Sequence, residues 1–197
     1  MRRFYLKIPV DIPEFIYRLA VRSALIYRKL SYGYTFRRIP LTQGKYAIVD
    51  AEDYEQLIKY NWALEKAHKI FYASRKRLVS DVNFAACRIK MHRQIMNDPE
   101  SKFIDHINHN GLDNRRANLR PVNGEQNSWN RRKRRRQCTS PYKGVYFDKE
   151  SGKWGSSIRC KGKQIIIDWF EDEESAAKAY DEKAKELFGQ YACLNFP

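Results

Sequence analysis

Asp105 and His106 are adjacent, Asn118 follows the histidine by twelve residues, and Asn127 follows Asn118 by nine. These side chains offer what hydrolysis of a phosphodiester requires. A hard cation must neutralise charge on the phosphate and the leaving oxygen. Such a cation prefers oxygen ligands, here the Asp105 carboxylate and the Asn127 amide. A base must take a proton from water near neutral pH, and His106 suits that task. Asn118 is better suited to tying its loop to the backbone than to touching a substrate. A single histidine in this setting is more often structural than catalytic, so the set and its spacing carry the reading.

The elements around these residues suit that convergence. Residues 103–107 can form a strand, and 108–118 form a loop dense in Asn, Asp and Gly, which supply local side-chain to backbone bonds. Leu119–Val122 is a second short strand. Asn123 and Gln126, three apart, form a capping pair that opens a helix over 124–132. Folded as a hairpin with the helix packed across it, this strand–loop–strand–helix unit lets Asp105, His106 and Asn127 meet. His109 is read as a loop residue.

The stretches Asp105-His106, Leu112-Asp113-Asn114-Arg115-Arg116, Asn118-Leu119-Arg120 and Gln126-Asn127 closely resemble the motif of the HNH homing endonuclease family. The resemblance reaches back through Leu41-Thr42-Gln43-Gly44 and Met91-His92-Arg93 and covers roughly 37–130. It implies a ββα-metal core, with His106 as general base and Asp105 and Asn127 as ligands of a single divalent ion, usually magnesium. It also implies that Asn118 is the structural asparagine of the catalytic motif, and that cleavage leaves 3′-hydroxyl and 5′-phosphate ends. The third motif position holds Asn127 rather than histidine, a departure found among homing enzymes.

Charge points to a polyanionic partner, nucleic acid before an anionic membrane. The chain carries +15 over 197 residues. Residues 140–197 hold nine Lys and Arg against ten Asp and Glu, a net of −1, so residues 1–139 carry +16. The run Arg131, Arg132, Lys133, Arg134, Arg135, Arg136 repels itself and marks a linker. There it can track DNA phosphates, since neutralising them releases counterions.

The apolar stretch 15–30 is cut by Arg18, Arg22, Arg28 and Lys29, which argues against a membrane span or a signal peptide. Cys87, Cys138, Cys160 and Cys193 are widely scattered without C-x-x-C spacing, which argues for free thiols in a reducing, cytoplasmic setting and against a zinc knuckle.

Upstream, Pro13 opens a helix whose apolar positions Phe15, Ile16, Leu19, Ala20, Ala24 and Tyr27 recur at helical spacing up to Gly33. Packing on its own domain is expected; lying on a membrane surface is the alternative. Tyr46–Val49 reads as a strand ending at Asp50, an N-cap for a helix over 51–60. Residues 70–76 and 87–91 read as strands, and His92 as structural.

Downstream, residues 142–148, Lys153–Cys160 and Lys163–Phe170 read as three strands, followed by a helix over 173–188 capped by Asp172 and ended by Gly189. Residues 143–163 hold six basic and two acidic groups, whereas 168–186 hold three basic and eight acidic ones. DNA is therefore expected on the sheet with the helix behind it, as in other strand readers of the major groove.

Tyr142-Lys143-Gly144-Val145, Gly152-Lys153-Trp154, Ile158-Arg159, Ala176-Ala177, Ala179-Tyr180-Asp181 and Leu194-Asn195-Phe196-Pro197 resemble the ethylene-response-factor DNA-binding domain. By that resemblance the DNA-contact positions are Tyr146, Asp148, Trp154, Arg159, Gln164 and Ile166, to which Lys143 and Lys153 add basic groups. Tyr146 and Asp148 stand where plant members have arginines, so their target sequence does not carry over.

The whole reads as an α+β chain in four parts: an amphipathic helical segment (1–36), an HNH nuclease domain (37–130), a basic linker (131–141) and a DNA-binding domain of three antiparallel strands on one helix (142–197). The expected activity is Mg²⁺-dependent hydrolysis of double-stranded DNA, with no protein partner implied. A regulator carrying an inactive nuclease remnant is the first alternative, and an RNA-binding protein the second.

Overall fold

The computed structural model describes residues 13–67, 70–81, 86–97, 103–133 and 139–197. Among these residues five helices and four small antiparallel sheets give an α+β architecture. They fall into two compact units, one drawn from Met1–Glu100 and Asn108–Arg120, the other from Ser101–Ile107 and Pro121–Pro197.

In the first unit, helix α1 (Glu14–Tyr32) is followed by the antiparallel pair β1 (Arg37–Pro40) and β2 (Tyr46–Val49). Helix α2 (Ala51–Leu57) leads to a three-stranded sheet of β3 (Ala63–Ala67), β4 (Ile70–Lys76) and β5 (Arg88–Lys90), and then to α3 (Met91–Ile95). Its core is Phe36, Ile39, Leu41, Val49, Leu57, Trp62, Ile89, Met91 and Ile95. Helix α2 stops short of the expected residue 60 because the Trp62 indole donates to the Leu57 carbonyl at 2.7 Å, capping the last turn. Arg75 is buried, spans Tyr60 with its guanidinium at 4.0 Å, and forks onto Asp81 at 2.6 and 2.7 Å. His92 is buried edge-on to Tyr72.

Helix α1 begins at Pro13 and ends at a left-handed Gly33, as its spacing suggests, but it does not pack on its domain in the expected way. No α1 side chain is buried, and Phe15, Leu19 and Leu30 are 70%, 63% and 82% exposed. The remaining elements close the core without it. Polar contacts tie it down instead: Arg28 donates to the Phe36 carbonyl, and Arg37 to the Tyr17 hydroxyl at 2.9 Å.

Strand β6 (Phe103–His106) pairs with β7 (Leu119–Val122), and helix α4 (Gly124–Trp129) follows. The expected strand–loop–strand–helix order is therefore present. Leu119 and Arg120 fall in the first unit, and Pro121 and Val122 in the second. Helix α4 opens on a capping box: the Asn123 side chain accepts from the Gln126 N–H and the Gln126 side chain from the Asn123 N–H, both at 2.9 Å.

The rest of the second unit is the antiparallel sheet β8 (Val145–Asp148), β9 (Lys153–Cys160) and β10 (Lys163–Phe170), in the order β10-β9-β8. Helix α5 (Glu173–Phe188) covers one face. Asp172 caps α5 by accepting the Ser175 N–H at 2.8 Å. Small residues let the helix lie close: Ala176, Ala177 and Ala184 are buried, with Val145, Ile158, Tyr180 and Phe188 completing the packing. No helix among the described residues is long and apolar enough to cross a membrane.

Candidate functional site

Asp105 and His106 end β6, and α4 packs against that strand. Contact is made through Asn130, the C-cap of α4, which is only 4% exposed. Its amide donates to Asp105 Oδ2 at 2.7 Å and, at 3.4 Å, to the His106 carbonyl. Asn127 lies three residues earlier and so shares a helix face with Asn130, about one turn away. Asp105 and Asn127 thus stand on two elements, β6 and α4, that are joined through Asn130. His106 is 6% exposed.

Among the described residues no group of three or more His, Cys, Asp and Glu is gathered to hold a metal. The carboxylate of Asp105 and the carboxamide of Asn127 are chemically unlike the four-ligand nitrogen and sulfur cage of structural zinc. Oxygen donors of these two types are the kind magnesium takes, through one or two carboxylates alongside several waters and substrate phosphate oxygens.

Asn118 works inside the loop, in the first unit. Its Oδ1 accepts the Asn108 N–H at 3.0 Å, and its amide donates to Asn108 Oδ1 at 3.0 Å and to the Asp113 carbonyl at 2.8 Å. Asn108 also donates to Asp113 Oδ2 at 2.8 Å. Arg115 forks onto Asp113 at 2.8 and 2.7 Å, and this hydrogen bonding raises its pKa. Arg116 forks onto buried Asp53 at 2.9 and 2.7 Å, while its N–H donates to Asp50 Oδ2 at 2.7 Å. Asp50 stands at the N-cap of α2, but its side chain makes no capping bond and serves the loop instead. The Leu112-Asp113-Asn114-Arg115-Arg116 stretch is thus a scaffold. His109 adopts a positive φ in the same loop.

In the second unit, strand register separates the proposed base readers. Alternation along β9 puts Lys153, Gly155, Ser157 and Arg159 on the face away from α5. Tyr146 pairs with Gly155 and Gln164 with Arg159, so both share that outer face, and the Gln164 amide donates to Ser157 Oγ at 3.2 Å. Asp148 and Ile166 pair with Lys153 and Ser157 and lie there too. A β-carbon on Gly155 would stand 2.6 Å from the Tyr146 ring, which meets Trp169 edge-on at 5.7 Å between centroids. Trp154 is on the opposite face, packed against Val145, Ala176 and Ala177 and 5.0 Å from Phe147.

Two of the lysines expected at DNA are engaged internally. The Lys143 ammonium donates to the Trp129 carbonyl at 2.6 Å, and burial lowers its pKa. The Lys133 ammonium donates to the carbonyls of Tyr142 at 2.7 Å and Val145 at 3.0 Å. Arg131 and Arg132 are exposed, whereas Arg134, Arg135 and Arg136 lie outside the described residues. Lys153 pairs with Glu171 at 2.8 Å on the surface.

Sequence reasoning missed Asn130 and the internal work of Lys143 and Lys133. Asn130 had a signal, since it repeats Asn127 at helical spacing. The lysines had none, because nothing local distinguishes them from their basic neighbours.

No family model matches the chain. It is 30% identical over 159 residues to an uncharacterized HNH endonuclease of Acanthamoeba polyphaga mimivirus, covering 78% of this chain and 76% of that protein. The chain belongs to the HNH endonuclease family. Protein 3.8 of Escherichia phage T7 is 31% identical over 129 residues, 66% of this chain and 98% of the phage protein. An AP2-like ethylene-responsive transcription factor of Arabidopsis thaliana is 39% identical over 61 residues, 31% of this HNH-family chain but only 13% of the plant protein.

Proposed function

We propose that the protein is a metal-dependent DNA endonuclease, with a ββα-metal site at Asp105, His106 and Asn127 and a C-terminal sheet that reads duplex DNA. The observation that supports this reading is the 2.7 Å bond from Asn130 to Asp105, which joins the end of α4 to β6, the two elements that carry Asn127 and the Asp105–His106 pair. Asp105 and Asn127 would hold a divalent ion, Mg²⁺ by their oxygen donors, and that ion would neutralise charge on the scissile phosphate and the leaving oxygen.

The chain's own groups do the rest. The His106 imidazole accepts a proton from the attacking water as the water oxygen bonds to phosphorus. The bond from phosphorus to the 3′ oxygen breaks, and that oxygen takes up a proton, leaving 3′-hydroxyl and 5′-phosphate ends. Asn118 keeps the loop in shape. Tyr146, Lys153, Arg159 and Gln164 share one basic, helix-free sheet face, an arrangement suited to base edges in a major groove. Exposed Arg131 and Arg132 are available to phosphates.

The test is incubation of the purified chain with supercoiled plasmid, with Mg²⁺ or with a chelator. Mg²⁺-dependent nicking is expected. His106→Ala should reduce it by about 10²–10⁴-fold while leaving DNA affinity in place. DNA binding without nicking under any divalent ion would favour a regulator with an inactive nuclease remnant. Equal nicking by parent and His106→Ala would remove the assigned base.

A further inference from the structure

Asp105 is linked to the C-terminal module by a continuous line of contacts within the second unit. Asp181, buried on α5, accepts the N–H of Asn195 at 2.8 and 3.0 Å and of Phe196 at 2.8 Å. Asn195 in turn accepts the Lys143 N–H at 2.7 Å and donates to the Lys143 carbonyl at 3.2 Å. The Lys143 ammonium reaches the carbonyl of Trp129, whose ring lies flat on Phe188 at 4.6 Å and 12°. The next residue is Asn130, whose amide meets Asp105.

We propose that Asn130 is the positioning residue for the metal-binding carboxylate of Asp105, and that the C-terminal module, through Lys143 and Phe188, holds Asn130 in place. The inference rests on the reading of Asp105 as a metal ligand.

The argument begins with length. Helix α4 has six residues, and isolated helices shorter than about 12–15 residues are marginal in water. Its capping box secures the first turn only. The last turn needs partners, and the module supplies two: an ammonium on the terminal carbonyl, where the helix dipole favours a cation, and an aromatic stack on the terminal side chain. Asn130 is then fixed by its neighbours before it touches Asp105.

Its chemistry suits a ligand's partner. The outer torsion of an aspartate is broad, so a free carboxylate samples many planes. A buried amide donating to one oxygen selects one plane. Because the amide is neutral, it orients the carboxylate without cancelling the charge that would hold the cation, as an arginine or lysine would. Second-layer partners of this kind typically account for 10–100-fold in metal affinity or activity.

The experiment uses the full chain with Mn²⁺ as the probe. Free Mn²⁺ is followed by electron paramagnetic resonance without DNA, alongside the Mg²⁺ dependence of plasmid nicking. Asn130→Ala should weaken Mn²⁺ by about 10–100-fold and shift the Mg²⁺ curve in parallel, with duplex binding in chelator unchanged. Asn130→Ser, which keeps a donor, should recover part of the loss. Lys143→Met, which keeps the aliphatic stem, should shift both curves in the same direction by less, and it decides the question if Asn130→Ala does not fold.

Parental Mn²⁺ affinity in both Asn130→Ala and Lys143→Met would overturn the proposal. Asp105→Ala separates the two layers. If it too binds Mn²⁺ like the parent, the ligand reading fails and takes this inference with it. If Asp105→Ala loses the ion and the other variants keep it, only the positioning role falls.

Discussion

Phe188→Ala tests whether the short motif helix and the C-terminal sheet form one cooperative body. Phe188 is 5% exposed, packs with Ile158, Tyr180 and Ala184, and carries Trp129 on its ring. Truncating a buried phenylalanine costs about 3–5 kcal/mol, within which an aromatic pair supplies about 0.5–1.5 kcal/mol. Folded domains are stable by about 5–15 kcal/mol, so this is a large share of the total. With a urea slope of about 2 kcal/mol per molar, a loss of about 4 kcal/mol lowers the midpoint by about 2 M. Circular dichroism would give the midpoint.

Native-state hydrogen exchange would give the decisive reading. The Asn127 N–H is bonded to the Asn123 carbonyl at 3.0 Å and the Asn130 N–H to the Gln126 carbonyl at 3.3 Å. Both should lose protection in step with the amides of α5, although position 188 is far from them in sequence. If the α5 amides lose protection while those of Asn127 and Asn130 keep their parental opening free energy, the stack does not support α4 and the reasoning fails.

Trp154→Ala should cost about 2–4 kcal/mol of stability, less than a fully buried tryptophan because this one is half exposed, and should leave site preference alone. Arg159→Ala should leave urea unfolding unchanged but relax preference at one base pair by about 1–3 kcal/mol; sequencing the ends cut from a random library separates the two, and a reversal would exchange the faces of β9. Lys133→Met should lower stability yet leave the salt dependence of DNA affinity unchanged, whereas Arg131→Gln and Arg132→Gln should each reduce the slope by about 0.9. Asp81 is held at a pKa of about 2, chiefly by hydrogen bonding from Arg75, against an ordinary 3.8. Its folded pKa is the depressed one, so its contribution to stability is complete above about pH 4 and disappears as pH falls towards 2. Asp81→Asn should flatten the acid limb of a stability–pH profile in that window, and an unchanged limb would refute the assignment.

What could be read in advance was local. The capping pair Asn123 and Gln126, the cap at Asp172, the stop at Gly189 and strands β2, β4, β9 and β10 depend on near neighbours, and the structure has them where spacing suggests. Strands β1 and β3 escaped notice because Arg37–Pro40 and Ala63–Ala67 lack the β-branched alternation that marks a strand. The missed partnerships are long-range. Nothing near Lys143 indicates that its ammonium ends on the Trp129 carbonyl, fourteen residues back. Trp154 reads as a DNA-contact position until strand register and packing put it on the helix-covered face. The apolar stripe of α1 resembles that of a packed helix, and only the folded core shows that, among the described residues, it is left largely exposed.

The bare backbone at Gly155 makes the outer sheet face alterable by a single codon. Tyr146 lies across that glycine, and a methyl group there would meet the far end of a side chain that can turn aside. Gly155→Ala would lift the phenol from the sheet, break its edge contact with Trp169 and reshape the surface between Lys153 and Arg159. The packing of Val145, Ile158 and α5 on the other side would be left as it is. If this face reads DNA as proposed, a lineage can vary its surface at this position without touching the α5-facing core or the β6–α4 motif.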